Sequence, residues 1–306
     1  MPKFCAIGLS STIQETITFD SVAIGDVNRS KSYRLDASGK AVNAARVLGQ
    51  IEKGSVSAVC PLGRENAALF LSLAAEDCIP VIPVMTPGKT RYCYTLLESS
   101  RGRATELVVS EPVSSAASEA RDFKRAADNI LEILSGMSVT GAFIMAGSRP
   151  AAFPDNLYPR LRSFAASRGV PVMVDFHGKD LLDTIAAGAP EVIKINEREF
   201  LSTFEPAHTE MRESDLADSI VRESSRLGSI IIVTRGARRV LAAYNGKVYR
   251  EPVEPVEPVN EIGCGDAFSA GFIHTWTATN DIQRALKRAV TCAAANLVTE
   301  RPGSIK

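Results

Sequence analysis

The sequence predicts an α/β fold: a doubly wound, mostly parallel central sheet flanked by helices, with a small β-sheet inserted in its N-terminal part. Three observations carry this. From Ser115 onward, amphipathic helical stretches alternate with short runs rich in Val and Ile. Those runs are apolar throughout, as strands buried on both faces are, and not alternating. Two stretches in the first third, 11–36 and 90–110, instead carry β-rich, partly alternating patterns with polar residues on one side, which suits a separate antiparallel sheet.

Taken in order, FCAIGL opens the chain as a strand and TIQETITFDSV begins the small sheet. SGKAVNAARVLGQI, from Ser38 to Ile51, has helical spacing at Val42, Ala45, Val47 and Leu48. The stretch from Thr90 to Val109 returns to the small sheet. Helix and strand then alternate through SEARDFKRAADNILEILSG, GAFIMAG, NLYPRLRSFAASRG, VPVMVDF, KDLLDTIAAG, EVIKIN, SDLADSIVRESSRLG and SIIIVTRG. The helices stop at Gly136, Gly169, Gly188 and Gly228, residues that end helices readily. EPVEPVEPV, from Glu251 to Val259, loses N–H donors at Pro252, Pro255 and Pro258 and so favours an extended edge or polyproline-like segment. The expected organisation is a core of residues 1–10, 37–89 and 111–306, with a β-sheet lid of residues 11–36 and 90–110. Such an insert serves to cover a site or to hold a second subunit in a homodimer.

Composition excludes several classes. The chain has 306 residues, 45% hydrophobic and 23% charged, so it buries a large core and is neither disordered nor fibrous. With 35 Lys+Arg against 35 Asp+Glu it presents no global field for a polyanion, and no nucleic-acid partner is expected. No apolar run approaches the ~18 residues of a membrane span, so no membrane partner is expected and the location is read as cytoplasmic. The six cysteines form no CxxC pair and the three histidines lie far apart, which argues against a zinc site and for small buried thiols in a reducing compartment.

The densest motif is NEIGCGDAFSAGFIHTW, from Asn260 to Trp276. GCGDAF is not a dinucleotide fingerprint, since Phe268 stands at the third glycine position, and no GxxxxGK[ST] exists. What remains is a glycine-rich turn feeding a helix. The amides of Gly263, Cys264 and Gly265 can converge there on an anion with the helix dipole behind them. Asp266 at the rim is either a helix cap or a base held beside a phosphate-binding turn.

NEIGCGDAFSAGF resembles the (D/N)TxGAGDxFxAGF motif of the ribokinase-like, or PfkB, carbohydrate kinases, and further motifs follow in matching order. SGKAVNAARVL is similar to GGKGxNVARxL, AGSRPAAFP to GSLPPGxP, KINEREF to KPNxxEL, VTRGARR to (S/T)xGxxG, and ATELVVSEP to a TExxEP segment. Thr90 and Arg91 match the TR after the lid crossover. The wording is most similar to the branch that phosphorylates sugar phosphates, the 1-phosphofructokinases and tagatose-6-phosphate kinases. The resemblance implies a kinase that uses ATP and Mg²⁺ on a sugar or sugar phosphate. It implies Asp266 as general base and the Gly263, Cys264 and Gly265 amides as the anion hole. It further implies nucleotide contacts at Lys194, Asn196, Glu199, Thr234, Gly236 and Asn296, with Glu199 (through water) and Asn196 toward the metal. Acceptor contacts are implied at Gln14, Gly39, Lys40, Asn43, Arg91 and Arg149, with Lys40 and Arg91 clamping a phosphate already on the substrate. The alternatives are a kinase for an unphosphorylated sugar or nucleoside, or a non-catalytic ligand-binding relative.

The departures cluster in the acceptor half. Gln14 stands where a substrate-binding Asp is expected, Ser38 and Ala41 replace two glycines of GGKG, Arg149 enters the GSLPPG position, and Glu261 replaces a Thr. Cys264 replaces an Ala and sets a thiol at a helix N-terminus, where exposure would lower its pKa.

Overall fold

The computed structural model describes residues 3–110 and 117–306. The core boundary expected at residue 111, and Glu111 and Pro112 of the TExxEP-like segment, lie outside them. The central sheet has nine strands: β13 (Lys247–Glu251), β12 (Arg238–Tyr244), β11 (Ile230–Arg235), β10 (Val192–Asn196), β9 (Val172–Asp175), β8 (Ala142–Ala146), β1 (Phe4–Ile7), β4 (Val56–Gly63) and β5 (Val81–Thr86), in that spatial order. All neighbours pair parallel except β11 with β12 and β12 with β13, a short antiparallel edge. The chain winds outward in both directions from β1. The strand order therefore reverses between β1 and β8, and the crevice at the carboxyl ends of the strands there is where α/β sheets bind ligands.

Both faces of the sheet are buried, and alternate side chains of one strand feed different cores. Ile230 and Ile232 of β11 pack into the layer that holds α1 (Lys40–Ile51), α2 (Ala67–Glu76), α8 (Cys264–Thr279) and α9 (Ile282–Leu297). Ile231 and Val233 pack into the layer with α3 (Ala117–Ser135), α4 (Leu157–Ser167), α5 (Gly178–Ala187), α6 (Glu197–Phe204) and α7 (Glu213–Leu227). That arrangement is why the strand runs read as unbroken apolar stretches. Helix α7 ends at Gly228 with φ +67, the left-handed C-terminal stop expected there.

A second sheet of four strands has the order β3 (Ser32–Ser38), β2 (Thr12–Phe19), β6 (Arg91–Glu98), β7 (Arg103–Val108). Its outer pairs are antiparallel, but β2 and β6 run parallel, so the expectation of a wholly antiparallel small sheet is corrected. The two middle strands enter from different chain segments, and a parallel pair needs a long crossover, here through β4, α2 and β5. The repeat EPVEPVEPV forms no strand beyond Glu251, which ends β13. The repeat's end is anchored by Val259 and Asn260 N–H groups donating to the Leu297 carbonyl at 2.8 and 3.1 Å.

Among the described residues no helix is long and apolar enough to cross a membrane. Four of the cysteines are buried, as expected, whereas Cys78 is exposed and Cys264 lies between.

Candidate active site

The glycine turn sits at the N-terminus of α8 against the reversal crevice. Gly263 caps the helix at φ +87, and a Cβ there would lie 2.1 Å from the amide nitrogen of Gly303, so the turn is pressed against the C-terminal segment. The N–H groups of the first helical turn have no intrahelical acceptor, which leaves those of Gly265 and Asp266 to meet a ligand. The Cys264 N–H instead donates to the Glu261 carbonyl at 3.3 Å.

Asp266 is 7% exposed and accepts from Asn43 Nδ2 at 2.8 Å. Burial and the neighbouring Asp175 push its pKa up to about 6, against the pull of Lys40, the Asn43 hydrogen bond and Lys194. Asp175, the last residue of β9, is the hub of the crevice and was missed in the sequence. Its Oδ1 accepts from Lys40 Nζ at 2.7 Å; its Oδ2 accepts from Lys194 Nζ at 2.7 Å and from Ser269 Oγ at 3.1 Å. Burial alone would raise the Asp175 pKa, but the two lysines hold it well below the usual carboxylate range. Burial likewise opposes the charge on Lys40, yet Asp175 and Asp266 hold its pKa above the ordinary value. Lys194 reaches the glycine turn itself, since a Cβ on Gly265 would lie 2.9 Å from its Nζ. The result is two ammonium groups and the positive end of a helix facing one space, with a carboxylate beside it whose pKa suits proton exchange near neutrality. The signal for Asp175 was its position, an acid at the carboxyl end of a parallel strand.

Residues 1–306 match the pfkB family carbohydrate kinase description. The chain belongs to that family. It is an ATP-dependent carbohydrate kinase with a ribokinase-like fold. A 1-phosphofructokinase of Rhodobacter capsulatus is 30% identical over 292 residues, covering 92% of this chain and 85% of that protein. Among solved structures, a point mutant of Escherichia coli phosphofructokinase-2 superposes with a TM-score of 0.85 at 19% identity, covering 100% of this chain and 96% of that one. The same enzyme in complex with fructose-6-phosphate gives 0.83 at 18%, covering 97% and 94%.

The other predicted residues of this pfkB kinase fall into three groups. Asn196, Thr234 and Gly236 line one cleft of about 510 Å³, and Asn196 and Thr234 are register partners on β10 and β11. Asn196 and Glu199 form a capping box on α6: Glu199 N donates to Asn196 Oδ1 and Asn196 N donates to Glu199 Oε2, both at 2.9 Å. Glu199 Oε1 lies 3.8 Å from His177 Nε2. A second group supports the site from behind. Asn296 is fully buried, donates to the Ile262 carbonyl at 3.0 Å and accepts from Ser304 N at 2.9 Å. It therefore holds the glycine turn from behind. Gly39, at φ +112, lets the start of α1 pass Ser10, whose carbonyl would lie 2.8 Å from a Cβ.

The third group lies toward the small sheet. Gln14 is 1% exposed and donates from Nε2 to the Cys93 carbonyl at 3.2 Å and to Thr95 Oγ1 at 2.8 Å. Arg91 donates to Ser10 Oγ at 2.8 Å and to the Val109 carbonyl at 3.3 Å. Arg149 is held by Asp155 at 2.7 Å, Asp180 at 3.0 Å and the Phe153 carbonyl at 2.9 Å. The condition of exposure is not met at Cys264: burial, with Glu261 and Asp266 nearby, pushes its thiol up to about 11, although Asn296 donates to the sulfur at 3.3 Å. A cleft of about 720 Å³ beside Tyr244, Tyr249 and Trp276 is lined by none of the predicted site residues.

Proposed function

We propose that this kinase transfers the γ-phosphoryl group of ATP to a hydroxyl of a sugar phosphate, with Asp266 as general base. The observation that carries this is the buried, hydrogen-bonded Asp266 carboxylate at the rim of a glycine turn faced by Lys40 and Lys194. One Asp266 oxygen is held by Asn43 and the other accepts the proton of the acceptor hydroxyl. That hydroxyl oxygen then bonds to the γ-phosphorus as the bond to the β,γ-bridging oxygen breaks and ADP leaves. The amides at the turn and the Lys194 ammonium face the equatorial oxygens, where charge is redistributed during transfer. Asp175 keeps both lysines in place without titrating, and Lys40, whose side chain is 38% exposed, meets a phosphate already on the acceptor together with Arg91.

The nucleotide occupies the cleft of Asn196, Thr234 and Gly236. Among the described residues no group of three or more His, Cys, Asp or Glu side chains forms a metal cage. The Glu199 Oε1 not used in the capping box fits a hydrated Mg²⁺ that arrives with the nucleotide. That ion would neutralise charge on the phosphates when bound.

The sugar phosphate is favoured by the name of the Rhodobacter capsulatus relative and by the acceptor complex of the Escherichia coli enzyme. ATP-coupled turnover across sugars, nucleosides and their phosphates tests the reading. A preference by kcat/KM for a ketose phosphate supports it, and a preference for an unphosphorylated sugar or nucleoside overturns it. We further propose that two copies pair through the small sheet. Tyr33, Ile17, Leu96, Tyr94 and Leu107 share one face by strand register, and Tyr33 and Leu107 are 56% and 50% exposed.

A further inference from the structure

Arg46 is 1% exposed, makes no direct contact with Asp266, and has four partners. Its Nε donates to Asp77 Oδ2 at 2.9 Å, its Nη1 to Asn43 Oδ1 at 3.0 Å and to the Pro302 carbonyl at 2.7 Å, and its Nη2 to the Ala37 carbonyl. A guanidinium only donates, so the atom of Asn43 that faces it must be the amide oxygen. Ser38 Oγ donates to the same oxygen at 3.0 Å. A side-chain amide has one oxygen and one NH₂ group, and fixing the first fixes the second. The NH₂ group of Asn43 is thereby turned toward Asp266 Oδ2. The flipped amide would set NH₂ against the guanidinium and oxygen against the carboxylate, losing both bonds.

We propose that Arg46 is a positioning residue for phosphoryl transfer: by locking the Asn43 amide it keeps a permanent donor on one oxygen of Asp266 and leaves the other for the acceptor hydroxyl. This rests on Asp266 being the general base. The groups that face Asp266 from other elements are Asp175 from β9, Lys194 from β10, and Lys40 and Asn43 from α1, with the Cys264 thiol near it on its own helix. Of these only Asn43 has an orientation that can reverse, and Arg46 decides it.

Arg46 is in turn fixed from outside the site. Asp77, 2% exposed as a side chain, also pairs with Arg301, whose Nε donates to Asp36 Oδ1 at 2.9 Å, and Asp36 accepts from Arg34 Nε at 2.7 Å. A run of ion pairs thus joins β3 of the small sheet and the segment after α9 to the amide that orients the base.

The test follows the Asp266 carboxyl by ¹³C NMR in Asp-labelled protein, its resonance assigned by loss in Asp266→Asn, beside the pH dependence of kcat with fructose 1-phosphate as the first acceptor tried. The wild-type carboxyl is expected to titrate at about 6. Arg46→Gln, which can accept as well as donate and so permits the flip, is expected to raise that midpoint by about one unit or more, a tenfold change in proton affinity. The acidic limb of kcat should move with it while KM for ATP stays. Arg46→Lys, again only a donor, is expected to restore the wild-type midpoint. A folded Arg46→Gln protein with an unmoved midpoint overturns the proposal.

Should Arg46→Gln fail to fold, Asn43→Asp decides. A carboxylate there, if directed by Arg46, stays ionised to low pH and drives the Asp266 midpoint up. If it titrates within or above the ordinary carboxylate range, Arg46 does not direct position 43 and the proposal falls. Movement of the Asp266 midpoint without movement of the kcat limb leaves the Arg46 lock on the Asn43 amide standing but removes the general-base reading, and with it the role of Arg46 in phosphoryl transfer.

Discussion

Asp266 and Asp175 share one pocket yet pull stability in opposite directions. Asp266 has a folded pKa of about 6, above its unfolded value of ~3.9, so the folded state binds the extra proton and gains stability as pH falls from about 6 toward 4. Asp175 is depressed, so its contribution is present above an unfolded pKa of about 4 and is lost as pH falls through the lower folded value. Asp266→Asn should therefore raise Tm at pH 7, on the order of 2–3 kcal/mol by linkage, and the gain should vanish by about pH 4. The same substitution should lower kcat by ~10² to 10⁴ with ATP affinity nearly unchanged. Retention of more than about a tenth of wild-type kcat would show that the proton goes elsewhere. Asp175→Asn should do the reverse to Tm at pH 7, losing about 3–5 kcal/mol as the buried Lys194 and the partly exposed Lys40 lose their shared partner. Removing Arg91 or Lys40 should raise KM for the acceptor well above any change in KM for ATP, which steady-state kinetics with each substrate varied will read.

Two glycines separate backbone strain from packing at the level of single elements. Gly228 ends α7 at φ +67 with nothing within 4 Å of a built Cβ, so Gly228→Ala should lose only about 1–2 kcal/mol through the left-handed backbone. Gly263 has a similar backbone but backbone atoms of Gly303 at 2.1 and 2.9 Å, so Gly263→Ala must displace the segment after α9. Comparative Tm and activity measurements should find the first variant active and the second inactive. The sequence made Gly228 and the other helix stops legible because a helix end is a local event. The GCGDAF turn was legible too, since glycines before a helix state their own geometry. Asp175 was not, because in VPVMVDF it is one acid after an apolar run, and nothing local says that Lys40 and Lys194 converge on it. The exposure on which the Cys264 pKa depends was not legible for the same reason: a helix N-terminus lowers a thiol pKa only when water or a cation is near, and burial raises it here. The strands β4 and β5 and helices α2 and α9 had no motif to mark them.

The two sheets divide the molecule into a core whose central sheet is covered on both faces and an insert whose outer face carries the exposed Tyr33 and Leu107. If the exposed Tyr33 and Leu107 face pairs with a second copy, Leu107→Asp should shift the protein from dimer to monomer in sedimentation equilibrium, and an unchanged mass would remove the lid contact. The C-terminal segment leads to a different consequence. The glycine turn is braced by Gly303, the Asn43 amide by the Arg46 that binds the Pro302 carbonyl, and Asn296 by Ser304, while the lysine hub comes from the middle of the chain. On the ribosome, the parallel sheet can begin to assemble as soon as β1, β4 and β8 have emerged, but the pocket cannot close before residue 304 is clear of the exit tunnel. Nascent chains stalled before that point should hold a folded sheet with no phosphotransfer activity, and activity should appear only once residue 304 has emerged.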